Sequence, residues 1–173
     1  MKWKDKVFNE VLRQIGDDDD QWQDIVVKMR LHRNDFGVHV AIFTEPYLTY
    51  LIEGKKTVES RFSVNKISPY GKVHEGDLVL VKKGGGPVVA LFKAGRVRFY
   101  SKLNVSKLKT IENEFAKDIC STNDPDFWKN RENSKFATLV GVSAVKQVEP
   151  FAVGKSDRTA WSIVQNKVNS LFD

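Results

Sequence analysis

The chain has 173 residues, 41% of them hydrophobic and 29% charged, with a formal net charge of +6 and an isoelectric point near 9.3. This is the composition of an ordinary globular domain with room for a small appendage, and its longest apolar run, Val88 to Phe92, is far too short for the ~20 residues of a membrane span. The single cysteine, Cys120, excludes an internal disulfide and a zinc site built on thiolates, and the charged N-terminus lacks the apolar core of a leader, so a cytoplasmic protein without metal or cofactor is expected.

In chain order, Trp3, Val7, Phe8, Val11, Leu12 and Ile15 share one helical face, and Gly16 stands where such a helix ends. Trp22, Ile25, Val26 and Met29 repeat that spacing, and Asp20 with Gln23 predicts a capping box at its start. Residues 1–36 therefore read as an N-terminal helical extension. Gly37 to Phe43 is β-rich. Thr44-Glu45-Pro46 then opens a helix through Leu48, Leu51 and Ile52 that stops at Gly54. A strand follows from Lys55 to Phe62. After the Gly76-Asp77 turn, Leu78 to Val81 is apolar at every position, as in a strand covered on both faces. Gly84 to Pro87 turns the chain into a long strand, Val88 to Tyr100. Ile111, Phe115 and Ile119 mark a helix, and Asp124-Pro125 the start of another. Strands over Phe136 to Val148 and Thr159 to Val164 complete the series. The pattern predicts an α+β fold: a mixed β-barrel over 37–165 with peripheral helices, a helical insertion at about 104–134 and a tail at 166–173.

Charge is unevenly spread. Residues 1–36 hold seven basic and eight acidic residues, whereas 78–111 hold eight basic residues (Lys82, Lys83, Lys93, Arg96, Arg98, Lys102, Lys107 and Lys109) and no acid. Gathered on one face, such a block attracts polyanions, nucleic acid first among them; spread over the fold, it is a solvated surface.

The most specific stretch is Gly54-Lys55-Lys56-Thr57-Val58-Glu59-Ser60-Arg61, where a helix gives way to a strand. Alternation sets Thr57, Glu59 and Arg61 on one face and Val58, Ser60 and Phe62 on the other, the core side. Lys56, Glu59 and Arg61 then converge on a cleft that suits an anionic or polar ligand, the arginine forking onto phosphate or a base edge. Were they instead an exposed ion-pair cluster, they would contribute at most ~1 kcal/mol.

Gly54, Lys56, Glu59 and Arg61 match the G-x-K-x-x-E-x-R signature of the ASCH domain, and the chain resembles that branch of the PUA-like β-barrel superfamily over roughly 37–165. The resemblance extends to the strand and helix before the motif, the Gly76-Asp77 turn, the buried strand ending in Lys82 and the long strand after Gly84. It implies a motif-lined cleft that binds RNA or a modified nucleotide, with Lys56, Glu59 and Arg61 as ligand contacts and Lys82 on the rim. Trp161, preceded by Lys155-Ser156-Asp157-Arg158, either closes the barrel core or, because PUA-like readers use aromatic walls, offers a stacking surface for a base, with Tyr70 and Phe62 weaker candidates of the same kind. One branch of the family hydrolyses acyl groups from modified cytidine with the motif lysine, a threonine three residues later and a downstream glutamate. Here Glu59 takes the threonine's place, and no carboxylate lies between Leu78 and Ile111. An amidohydrolase acting on N-acylated cytidine-type nucleosides would therefore use Lys56 and Glu59 with Thr57 or Ser60 as nucleophile. A ribonuclease would need His32, His39 and His74 brought together. A protein-interaction module working through residues 1–36 is a third class.

Other features carry less. Gly154-Lys155-Ser156 lacks the first glycine of a phosphate loop, because position 149 is Glu. Asp17 to Asp20 lacks the alternating ligands of a calcium loop. Cys120 reads as inert.

Overall fold

Leu78, Val79, Leu80 and Val81 are all fully buried, and their alternation feeds two apolar cores on opposite faces. In the computed structural model, which describes residues 2–154 and 159–169, this strand is β3 (Leu78–Lys83). Leu78 and Leu80 join one apolar cluster, and Val79 and Val81 join another on the opposite face. The strands β1 (Val38–Phe43), β2 (Val58–Ser63), β3, β4 (Val88–Tyr100), β5 (Phe136–Phe151) and β6 (Trp161–Gln165) form one curled half-barrel sheet in the order β2-β5-β4-β3-β1-β6. Only β1 and β3 run parallel; the remaining neighbours are antiparallel. Register shifts in β4, between Val88 and Ala90 and again at Lys93 to Val97, bend the long β4–β5 ribbon. The mixed barrel-like architecture expected from the pattern is thus present.

One face of the sheet is covered by α1 (Trp3–Ile15) and α2 (Gln23–Arg30). Val7, Phe8, Val11 and Ile15 of α1 and Ile25, Val26 and Met29 of α2 pack against Val38, Val40, Leu78, Leu80 and Leu91. Each such side chain contributes roughly 1.5–3 kcal/mol by burial. The helices of residues 1–36 therefore share the sheet's core, and their apolar faces are spent on it. Within the curl, Ala41, Phe43, Phe92, Ala94 and Val140 meet Leu48 and Leu51 of α3 (Tyr47–Ile52). A third cluster seats α4 (Val105–Ile119) through Ile111, Phe115 and Ile119 on Val58 and Leu139. Asn104 caps α4, accepting the Lys107 N–H at 2.8 Å.

Two local expectations differ. Asp20 opens a short 3₁₀ turn, Asp20–Trp22, without capping it, and Gln23 reaches back to the Asp19 carbonyl instead of an N-cap N–H. The helix expected after Pro125 is a single 3₁₀ turn, Lys129–Arg131. Residues 155–158, which precede Trp161, complete the phosphate-loop lookalike and carry its lysine, lie outside the described residues, as does the tail beyond 169. No helix among the described residues is long and apolar enough to cross a membrane.

A buried polar chain ties β1, β3 and β6 together. Trp161 Nε1–H donates to His39 Nδ1 at 3.1 Å, and His39 Nε2 lies 2.9 Å from Asp77 Oδ2. An indole nitrogen only donates, so Nδ1 accepts and Nε2 carries the proton given to Asp77. Asp77 also accepts the Gly37 N–H at 2.6 Å and the His74 N–H at 2.8 Å. Burial pushes the Asp77 carboxyl up, but these hydrogen bonds outweigh it and hold its pKa below the ordinary value. Asp77→Ala, which strands two buried donors and the half-buried His74 N–H, is expected to cost roughly 3 kcal/mol in denaturant unfolding. Because Asp77 is depressed in the folded state, its stabilisation is present above the ordinary carboxylate range and is lost as pH falls through the folded value, so the variant should show a flatter acid limb.

Candidate functional site

The site is assembled where α3 ends. Gly54, at φ +75°, turns the chain in a conformation that favours glycine, and the Lys55 and Lys56 N–H groups both return to the Tyr50 carbonyl. The chain then enters β2 with the Lys56 side chain directed inward, only 3% exposed. Lys56 Nζ donates to the Ile119 carbonyl at 2.9 Å, at the C-terminal end of α4, where the helix dipole favours a cation. It lies 3.8 Å from Glu59 Oε2 and 5.2 Å from the centre of the Tyr47 ring. Burial is the largest influence on Lys56 and lowers its pKa; Glu59 opposes the shift, and Arg61 and Arg131 add to it.

Glu59 is 5% exposed and sits between two cations. Its Oε1 is 3.2 Å from Arg61 Nε and accepts the Ser60 N–H at 2.9 Å. Arg61 extends away from β2 toward the other edge of the sheet. Its Nη2 donates to the Ile42 carbonyl at 2.8 Å and its Nη1 to the Ala160 carbonyl at 3.1 Å. The guanidinium lies 5.3 Å from the Phe43 ring centre and 5.4 Å from that of Trp161. The sheet thus does not close by a backbone ladder here; one side chain spans its seam.

Beside this bridge lies a cavity of about 290 Å³, bordered by both sheet edges, Tyr47 and the segment after α4. Phe62 and Phe127 form apolar wall, and Arg131 lies 3.5 Å over the Phe127 ring while donating to the Phe127 carbonyl at 2.7 Å. Burial lowers the Arg131 pKa as well. Tyr47 donates to Asp124 at 3.0 Å, and burial, then that carboxylate, pushes its pKa up to about 12, so the phenol stays protonated. Lys56, Arg61 and Arg131 face a single lining carboxylate, Glu59.

Lys56, Glu59, Ser60, Arg61 and Phe62 are brought together at this cavity. Other candidates fall elsewhere. The Thr57 hydroxyl pairs with Asp118 at 3.2 Å and does not line the cavity. Lys82 lines a separate, much smaller hollow beside Trp3 and Val153, because it follows Leu78 and Leu80 on the sheet face that α1 and α2 cover. Trp161 is 1% exposed and engaged by His39, so it is core material beneath Arg61 with no open face for stacking. Tyr70 packs edge-on against Phe99 and Phe136, away from the cavity. His39 is buried with Asp77, His74 is at the same carboxylate's rim, and His32 is in the turn after α2, so the three histidines form no acid–base pair at the cavity. The basic block is dispersed: Lys93 contacts Gln21 and Asp24 near α2, Arg98 lies over Phe115 of α4, and none of its residues lines the cavity. Sequence reasoning missed Tyr47, Phe127 and Arg131; the Phe127/Arg131 spacing, an aromatic four residues before a cation, was the available signal. No group of three metal-ligating side chains is placed to hold a metal ion among the described residues.

Three-dimensional comparison places this architecture beside the ASCH protein of Zymomonas mobilis. The match has a TM-score of 0.56 over 73% of this chain and 86% of that one at 10% identity, and a variant of the same protein gives 0.54 over 69% and 77% at 12% identity. No protein-family model matches the chain, and no curated protein does. At these identities the likeness is one of fold: the chain has an ASCH-like half-barrel with helices.

Glu59 is no surface partner, and Glu59→Ala leaves two neighbouring cations uncompensated. The expected loss is about 3 kcal/mol in chemical unfolding, well above the ~1 kcal/mol of an exposed pair. Lys56 binds its proton less readily folded than unfolded, so below its ordinary value near 10.5 the unfolded chain takes up more protons. Stability of the wild type relative to Lys56→Met should therefore rise with pH as that value is approached from below, read as the difference in melting temperature across alkaline buffers.

Proposed function

We propose that the cavity binds a nucleotide, free or presented by single-stranded RNA. The observation that carries this reading is the charge count inside a partly apolar pocket: Lys56, Arg61 and Arg131 around one carboxylate, with Tyr47, Phe62 and Phe127 beside them. A phosphate offsets the excess positive charge and relieves the mutual repulsion that helps to lower Lys56. Aromatic and guanidinium planes suit a base. The cavity volume of about 290 Å³ is at the small end of ligand pockets and accommodates one nucleotide unit, not a duplex. Amide hydrolysis is the weaker reading, since the Thr57 hydroxyl is held by Asp118 and no hydrogen bond links Ser60 Oγ to Lys56 among the described residues.

The test is fluorescence anisotropy of a labelled short single-stranded RNA, with nucleoside monophosphates as competitors, at two salt concentrations. Binding is expected to weaken with salt, by about one power of salt concentration per phosphate contact. Arg131→Gln, which leaves the Arg61 bridge intact, should weaken it about tenfold, the effect of losing one charged contact of roughly 1.5 kcal/mol. Absence of binding by both RNA and monophosphates removes the proposal.

A further inference from the structure

The cavity is lined by four consecutive residues of β2, Glu59, Ser60, Arg61 and Phe62. Side chains of consecutive strand residues point to opposite faces, so one cavity can meet all four only along the strand's edge. β2 is an edge strand, paired with β5 alone. Which backbone groups face the open side follows from the register. Val142 N–H donates to the Thr57 carbonyl, so Thr57 turns its backbone toward β5; counting by two, Glu59 and Arg61 do the same. Val58, Ser60 and Phe62 therefore turn theirs away from β5. The Ser60 N–H agrees with this parity, since it is taken by the Glu59 carboxylate at 2.9 Å and not by the ladder. The cavity edge thus offers an acceptor, the Ser60 carbonyl, followed by a donor, the Phe62 N–H, with the Phe62 carbonyl beyond. Glu59 takes up the Ser60 N–H, so the groups left on this edge are the Ser60 carbonyl and the Phe62 N–H and carbonyl.

We infer that the free edge of β2 reads the base of the bound nucleotide: the Ser60 carbonyl and Phe62 N–H pair with a planar edge that carries a donor beside an acceptor, while the Lys56/Arg61/Arg131 group takes the phosphate. The inference rests on the nucleotide reading above and names how that ligand is held. An extended peptide added as a seventh strand would present the same backbone chemistry, but Arg61 already crosses the seam to Ile42 and Ala160 and leaves no continuous groove for one.

The experiment is calorimetric titration of the full chain with adenosine and cytidine monophosphates, their base-edge-methylated forms (1-methyladenosine and 3-methylcytidine monophosphates) and ribose 5-phosphate. It is repeated on protein in which Phe62 is replaced by its α-hydroxy acid, which keeps the ring and exchanges the N–H for an ester oxygen. Methylated and baseless ligands are expected to bind at least tenfold more weakly than the parent nucleotides. The ester should weaken the parents by a similar factor, leave ribose 5-phosphate unchanged and leave the melting temperature near that of the wild type, because this N–H is outside the ladder. Equal binding of ribose 5-phosphate and the nucleotides overturns the base-edge inference while the anion pocket stands. A large fall in melting temperature on ester substitution overturns it too, by locating the N–H in the ladder. Binding of none of the ligands removes both this inference and the nucleotide reading.

Discussion

Arg61 joins two strands that no hydrogen-bond ladder connects. The sheet order places β2 at one end and β1 with β6 at the other, and the curl brings these ends close without making them neighbours. The guanidinium donates to carbonyls on the far side, at Ile42 and Ala160, and is flanked by Phe43 and Trp161. Its planar fork of donors suits a gap bordered by two carbonyls, which a single ammonium would not span. Glu59 compensates the charge this requires within a half-buried wall, and Lys56 compensates Glu59 in turn. The cavity exists because the bridge is one side chain wide: a continuous ladder would have filled the space where ligand chemistry is now available.

The same carboxylate therefore serves structure and site together. Glu59 holds two cations and caps the Ser60 N–H. Its burial changes its energetic weight. Exposed, the Lys-Glu-Arg group would be screened by water; buried, each member depends on the others, since removal of one leaves charge without compensation. The Trp161–His39–Asp77 chain supports this arrangement from below, because it fixes the indole on which the guanidinium rests.

Much of the architecture was legible in the residues. The helix of Trp3 to Ile15, the all-apolar strand at Leu78 to Val81 and the long strand from Val88 to Tyr100 follow from periodicity and are present at those positions. Glu59 and Arg61 meet Lys56 at the cavity as expected. Ser60 and Phe62 of the other face line it too and Thr57 does not, because the cavity opens along the edge of β2 and not on one of its faces. Tyr47 and Arg131 could not be placed this way, because they reach the cavity through contacts across 77 residues for Tyr47 with Asp124 and through the turn after α4 for Arg131. Lys82 lies with Trp3 and Val40 on the helix-covered face of the sheet, away from the cavity, and Trp161 takes the core position that was one of the two readings its sequence allowed.

Local patterning along the chain determined which segments are helix or strand, which side of each is apolar, and which three charged residues share one turn and strand, since these depend on neighbours within a few positions. Tertiary structure decided whether those charges are solvated or buried, because burial depends on how far the sheet curls and on where α4 ends. It alone placed the Ile119 carbonyl under Lys56, opened the edge of β2 onto a cavity and turned an aromatic on the last strand into the floor beneath an arginine. Each of these is a meeting of residues distant in the chain, and the energy that selects it lies in desolvation and packing, which no local pattern encodes.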